Sequence, residues 1–381
     1  MTPFEAVRAR EYPEREGTYF NAASAGLLPL RAVAAVSDLT ARRNRAAGFE
    51  DEELRAILDR ARAAAARLIG AHPAEIALAP NTSYGVNLAA AYLAHGPPGT
   101  VVVSAGEFPT NVFPWLALER RGFRVEVVPT RPDGTPDEAR LVAAVQRDDT
   151  RALAVSQVHF ATGFRADLDA LGALCRSRGV LFAVDAIQGL GAAPLDVRRS
   201  AIDVLACGGQ KWLCSPWGSG FAFVDARLLE RFDPPMVSWL AMEGATDFSS
   251  LAGYRWKLLA DARRFELATL AFQDYLGMAE SIELLLELGP AAIHGHLMEV
   301  HAPLLDWADG RGGVEVVTPR DPQRRAGILS FRVPATERVA RALSAAGVAC
   351  AVREGAVRFS PHFYNTVDEM RAAVAVLERS A

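Results

Sequence analysis

The stretches Leu181-Phe182-Ala183-Val184-Asp185-Ala186-Ile187-Gln188 and Val204-Leu205-Ala206-Cys207-Gly208-Gly209-Gln210-Lys211-Trp212 decide the fold. Each is a short, continuous apolar run that closes on polar side chains, the pattern of a strand buried on both faces. Working outward, runs at 100–103, 124–128 and 152–156 read as further strands, and the stretches 113–121, 138–146 and 167–178 read as helices between them. Strands alternating with helices of this length predict an α/β fold, a mostly parallel sheet covered by helices. Upstream, Leu54, Ile57, Leu58, Ala61 and Leu68 recur near helical spacing and predict an amphipathic helix over 51–69.

The texture changes after Gly220. Residues 221–260 read as irregular and carry Trp239, Phe248, Tyr254 and Trp256. A long helix is expected over 267–288, ending at Gly289-Pro290, followed by strands at 314–318 and 327–333, a helix at 336–346, a strand at 357–360 and a helix at 366–379. The expected division is therefore an N-terminal segment with a large α/β domain over 1–265, then a connecting helix with a small α+β domain over 266–381.

Composition narrows the function classes. Of 381 residues 50% are hydrophobic and 23% charged, enough to bury a sizeable core. The 41 basic and 45 acidic side chains leave a net charge of −4 with no basic stripe, which argues against nucleic acid as partner. No apolar run approaches the roughly 18 residues that span a bilayer, and residues 1–16 lack a signal-peptide core. Cys175, Cys207, Cys214 and Cys350 are too scattered for a disulfide framework or a zinc site, so a cytoplasmic, reducing setting is expected. Lys211 and Lys257 are the two lysines among the 41 basic residues. Lysine, unlike arginine, can lose its proton and form a Schiff base.

In open α/β sheets ligands bind at the carboxyl ends of strands. Asp185 and Lys211 close two such strands, and Asn81-Thr82-Ser83 opens the helix that follows Pro80. Taken singly, these are a helix cap, a solvated lysine and an N-cap. Together they are the parts that pyridoxal 5′-phosphate (PLP) requires: an amine for its aldehyde, a carboxylate for its ring nitrogen and a helix N-terminus for its phosphate. His294, His296 and His301 have no acidic or cysteine partners at ligand spacing, so no metal site is expected and a helical surface is the simpler reading. Lys257 reads as solvated, and Ser219 lacks the strand–turn–helix setting of a nucleophile elbow.

The segments from Ser156 to Asp167, Val184 to Gly189, Gly208 to Leu213 and Pro216 to Gly220 resemble the class V aminotransferases. These are fold-type I PLP enzymes that include cysteine desulfurases, kynureninases and isopenicillin N epimerase-like proteins. The resemblance extends over nearly the whole chain through Tyr19-Phe20-Asn21-Ala22-Ala23, through Glu107 to Trp115, and through Val357 to Thr366. It implies that Lys211 holds the cofactor as a Schiff base and then moves protons at the substrate Cα, and that Asp185 keeps the ring nitrogen protonated. It further implies Gln188 at the phenolic oxygen, Thr82, Ser83 and Gln210 at the phosphate, Phe108 stacked on the ring, and His159 hydrogen-bonded to cofactor or substrate. Arg358 would grip the substrate carboxylate, with Asn21 beside the substrate. Family membership also implies a homodimer in which residues of the 235–265 stretch complete the partner's site.

The departures bear on the reaction. Phe108 stands where cysteine desulfurases carry histidine, and Phe160 where they carry asparagine. Arg353 and Arg358 are separated only by Glu354-Gly355-Ala356-Val357, which leaves no room for the desulfurases' cysteine-bearing loop. Cys350 is nearest but reads as a packed strand residue, so desulfuration is disfavoured. His362 reads as a cap for the last helix. An aminotransferase ranks first, a β-lyase acting on C–S bonds second and an epimerase third. A catalytically silent scaffold has no use for Asp185, Gln188, Lys211 and Arg358, and a nucleotide-binding protein lacks its glycine fingerprint and Walker lysine.

Overall fold

The structure, a computed structural model, describes residues 2–47 and 50–380. After a short strand β1 (Thr18–Tyr19), seven strands follow: β2 (Ile76–Leu78), β3 (Thr100–Ser104), β4 (Arg124–Val128), β5 (Thr150–Ser156), β6 (Leu181–Asp185), β7 (Val204–Gly208) and β8 (Gly220–Val224). They form one sheet in the order β2-β8-β7-β6-β5-β3-β4. Strands β3 to β7 run parallel, and β8 runs antiparallel between β7 and β2. The run Phe221-Ala222-Phe223-Val224, expected to be irregular, is thus a fully buried strand. It lacks a flanking helix because its partner β7 is reached by a hairpin-like return from Lys211 to Gly220 and not by a crossover.

Alternation along the strands splits the core in two. Leu153, Val155, Phe182, Val184, Leu205, Phe221 and Phe223 face one cluster, while Ala152, Ala154, Ala183, Ala206 and Ala222 face the other. The alanine-rich face is what lets the helix Thr82–Leu93 lie close against the sheet. Gly85 meets β7 so tightly that a Cβ there would sit 2.6 Å from Ala206 Cβ. That contact delivers the N-terminus of this helix to the edge where β6 and β7 end.

Helices Asp51–Ile69 and Phe272–Leu288 cover the other face, and a turn at Gly289 starts a further helix, Pro290–Ala308. Strands β9 (Glu315–Val316) and β10 (Leu329–Arg332), then β12 (Ala351–Arg353) and β13 (Ala356–Phe359), form an antiparallel sheet in the order β12-β13-β10-β9. Between them β11 (Val348–Ala349) pairs in parallel with β1. Phe20 sits in the same core cluster as Phe331 and Phe359. Strand β1 of the N-terminal segment thus pairs in a separate two-stranded sheet with β11 of the C-terminal region. Its β-branched Thr18 and aromatic Tyr19 form too short a run to reveal a partner more than 300 residues away in sequence (Thr18↔Val348).

Gly85→Val regains little helix propensity and forces side-chain atoms into Ala206. It is expected to cost about 1–3 kcal/mol of stability, the usual range for overpacking, read from the urea midpoint at constant m-value.

Candidate active site

The carboxyl edge of the sheet gathers the expected groups because β5, β6 and β7 are parallel and in register. Ser156 pairs with Asp185 across β5–β6, and Asp185 pairs with Ala206 across β6–β7. Asp185 is 3% exposed, and Oδ1 accepts from the Ile187 N–H at 3.0 Å. Burial pushes its pKa up to about 7; the Ile187 N–H opposes that shift, and nearby Glu107 adds to it. A carboxyl held there favours a cationic neighbour, which a pyridinium supplies.

Lys211 follows β7. Burial lowers its pKa to about 8 against the opposing pull of Asp185, and Arg358 lowers it further. Its Nζ lies 5.5 Å from the centroid of the Phe108 ring, which stands edge-on to Phe160 at 5.4 Å. The amine thus faces an aromatic wall. Thr82 begins its helix, and the first-turn N–H groups of Thr82 and Ser83 have no intrahelical partner. The Thr82 hydroxyl oxygen accepts from the Gly208 N–H at 2.9 Å, which ties the helix to the end of β7. Ser83 is exposed, with its hydroxyl 3.2 Å from that of Thr110. The main-chain carbonyl of Gln210 accepts from Gly26 at 2.9 Å, and its side chain folds back over Gly208.

Arg358, on β13, is 2% exposed. Nη1 donates to the Phe160 carbonyl at 2.8 Å and Nη2 to Ser24 Oγ at 3.1 Å, while Nε is buried without a partner. Burial and then Arg353 bring its pKa down to about 10, so it stays charged. Among the described residues no carboxylate pairs with it, and a buried cation without a counter-ion is a strong site for an anion. Asn21 bridges to Ser360 across β1's extension, and its Oδ1 is likewise buried and unpartnered. These vacant polar atoms, with an amine, a carboxyl and a helix N-terminus on one edge, fit PLP and an amino-acid carboxylate.

His159 lies in the wall, but both ring nitrogens are taken by the protein. Nε2 faces the Gly106 carbonyl, and Nδ1 lies 2.9 Å from Thr162 Oγ1. Burial lowers its pKa, so the ring is neutral and holds the turn that carries Glu107 and Phe108. Gln188 lies within reach of the edge, with its amide bonded to Ala23 and Trp212. The sequence assigns no site role to Glu107, Ser24, Trp212 or His362. All four lie in or next to the segments quoted above, but their partners come from distant segments. Glu107 is buried and accepts from the Ser156 N–H at 2.8 Å, and burial raises its pKa. His362 is no cap: its ring bonds the Trp212 carbonyl at 2.8 Å. His294, His296 and His301 are not a surface row either. They bond the carbonyls of Arg325, Asn365 and Gly327. No cluster of metal-ligating side chains occurs among the described residues. Lys257 is solvated and paired with Glu243 at 2.7 Å.

The family model for aminotransferase class V matches residues 18–372. The chain belongs to this family. A probable cysteine desulfurase of Methanothermobacter thermautotrophicus is 31% identical over 96% of this chain and 95% of its own length. An isopenicillin N epimerase of Streptomyces clavuligerus is 31% identical over 97% and 96%. Among solved structures, a C-DES mutant with glycine covalently linked to its PLP cofactor superposes with a TM-score of 0.87 at 22% identity, over 98% of this chain and 99% of that one. This class V aminotransferase-family member is a PLP-dependent enzyme of the fold-type I architecture.

When bound, PLP supplies an aldehyde that captures amines and an electron-withdrawing ring that accepts the electrons released at Cα. Lys211 would present to that aldehyde an amine that loses its proton near pH 8, well below an exposed lysine. Asp185 would hold a proton on the ring nitrogen, Arg358 would orient a substrate carboxylate, and Phe108 and Phe160 would exclude water from one side.

A neutral amine is what attacks an aldehyde, so recapture of PLP by the cofactor-free protein is expected to quicken with pH and level off above about pH 8. Stopped-flow absorbance measures it; a rate still climbing toward pH 10 would show an unperturbed lysine.

Proposed function

We propose that this enzyme is an aminotransferase acting on an amino acid, with Lys211 as its single proton carrier. The observation that carries the reading is the company Lys211 keeps. Transamination needs one base that takes the proton from substrate Cα and returns it on the cofactor side of the C–N bond. Epimerisation needs a second acid on the opposite face, and persulfide formation needs a reactive thiolate. Phe108 and Phe160 carry no titratable proton, and His159 is committed to Gly106 and Thr162. Burial raises the pKa of Cys175 and Cys214 to about 12 and of Cys350 to about 11, and Cys207 is also raised by burial. Cys350 lies in the break between β11 and β12, packed against the C-terminal core. Unactivated thiols support transamination over desulfuration.

Within this reading, Thr82, Ser83 and Gln210 serve the phosphate, Phe108 stacks on the ring, Gln188 binds the phenolic oxygen, and Arg358 with Asn21 takes the substrate. The two folding units divide near 265, with the N-terminal strand crossing over to the second. No helix among the described residues is long and apolar enough to cross a membrane, and four unpaired thiols favour a reducing, cytoplasmic setting.

The assay is incubation of holoenzyme with single amino acids, with and without a keto-acid acceptor. Keto-acid product that requires the acceptor, without ammonia, is expected. Ammonia released with no acceptor would replace the proposal with a lyase, and racemised substrate would replace it with an epimerase.

The exposed apolar side chains Met236, Val237, Trp239, Phe248, Leu251, Tyr254 and Trp256 are concentrated in one short stretch, with Tyr254 at 89% and Trp256 at 73% exposure. Such a surface favours burial against a second copy. Light scattering of the holoenzyme is expected to give twice the 41.0 kDa chain mass. A monomer at micromolar concentration would refute the dimer.

A further inference from the structure

Trp212, the residue after Lys211, takes part in hydrogen bonds that reach two distant parts of the chain. Its indole N–H donates to Gln188 Oε1 at 2.8 Å, and Gln188 Nε2 donates to the Ala23 carbonyl at 3.1 Å. An indole N–H can only donate and a carbonyl can only accept, so the pair leaves the Gln188 carboxamide one orientation. The Trp212 carbonyl in turn accepts from His362 Nε2 at 2.8 Å. Burial brings the His362 pKa down to about 4, so the ring is neutral. Its Nδ1 accepts from the Phe363 N–H at 2.8 Å, which leaves the proton on Nε2. The indole ring is fully buried against Gly327, where a Cβ would lie 2.1 Å from it.

We propose that Trp212, braced by His362, is a positioning residue that acts through Gln188, holding the carboxamide so that its remaining N–H, and not its oxygen, is available to the phenolic oxygen of PLP. The inference rests on the assignment of Gln188 to that oxygen. A carboxamide carries two N–H donors; one is used on Ala23, and the oxygen is used on Trp212. Without the indole N–H the buried Oε1 has no donor, and a rotation that finds one breaks the Ala23 bond and turns the amide away from the cofactor.

The test is a pH titration of the visible absorbance of the holoenzyme. An N–H donor stabilises an oxygen anion, so its loss raises the midpoint. Gln188→Ala is expected to raise it by about one unit, a tenfold change in proton affinity of the size one charged hydrogen bond gives. Trp212→Phe is expected to move it the same way by less. The double variant is expected to match Gln188→Ala alone, because Trp212 then has nothing to act through. Trp212→Phe also leaves a space in the core. Replacing Trp212 by 3-benzothienylalanine, which exchanges only the N–H for sulfur, gives the same comparison with packing kept. An unmoved midpoint in Gln188→Ala overturns the Gln188 assignment and the proposal together. A moved midpoint in Gln188→Ala with none for either Trp212 replacement, or additive shifts in the double variant, overturns the proposal alone.

Discussion

Asp185 and Lys211 are carried to one edge of a parallel sheet and held there largely out of water. Burial works against both charges, pushing the acid up to about 7 and the amine down to about 8. In a dry interior such groups are costly unless something compensates them. Bound PLP would compensate both, since Lys211 would hold its aldehyde carbon and Asp185 would face its ring nitrogen. The rest of the large sheet serves this arrangement. The alanine-rich face admits the helix that starts at Thr82, and the Thr82–Gly208 bond sets that helix's N-terminus against the end of β7.

A second constraint lies at Arg358. A guanidinium that is 2% exposed and has no carboxylate partner among the described residues is unstable in isolation unless an anion visits it. The walls of that position come from three parts of the chain. Ser24 lies in the N-terminal segment, Phe160 in the loop after β5, and Arg358 itself on β13. The pairing of β1 with β11 and the bond from Ala22 N–H to the Ser360 carbonyl hold the two chain ends in place for this purpose. An anion bound there joins the C-terminal sheet to the edge that carries Lys211.

The proposed reaction rests on an economy of proton carriers. A lysine opposite an aromatic wall can relocate a proton on one face. It cannot by itself deliver one from the other face or replace a thiolate. Glu107, next to Phe108, is a carboxyl, but it is buried and occupied by Ser156.

Local sequence was sufficient for much of this. Strands β4 and β6 and the helix Asp51–Ile69 are written in runs and spacings that depend only on near neighbours. The acid and lysine at two strand ends are legible for the same reason, since chemistry at the edge of a parallel sheet needs residues directly after the apolar run. Strand β8 was not legible, because a buried strand reached by a tight return carries no helix to announce it. The uses of His159 and His362 were not legible either. Each histidine sits in a recognisable motif, but whether its nitrogens face a ligand or a carbonyl depends on Gly106, Thr162 and Trp212, which only folding brings near. By itself the sequence determined which residues could do chemistry and on which edge they would stand. The tertiary structure alone decided which of them still have a free hydrogen-bonding atom, because that depends on contacts between segments far apart in the chain.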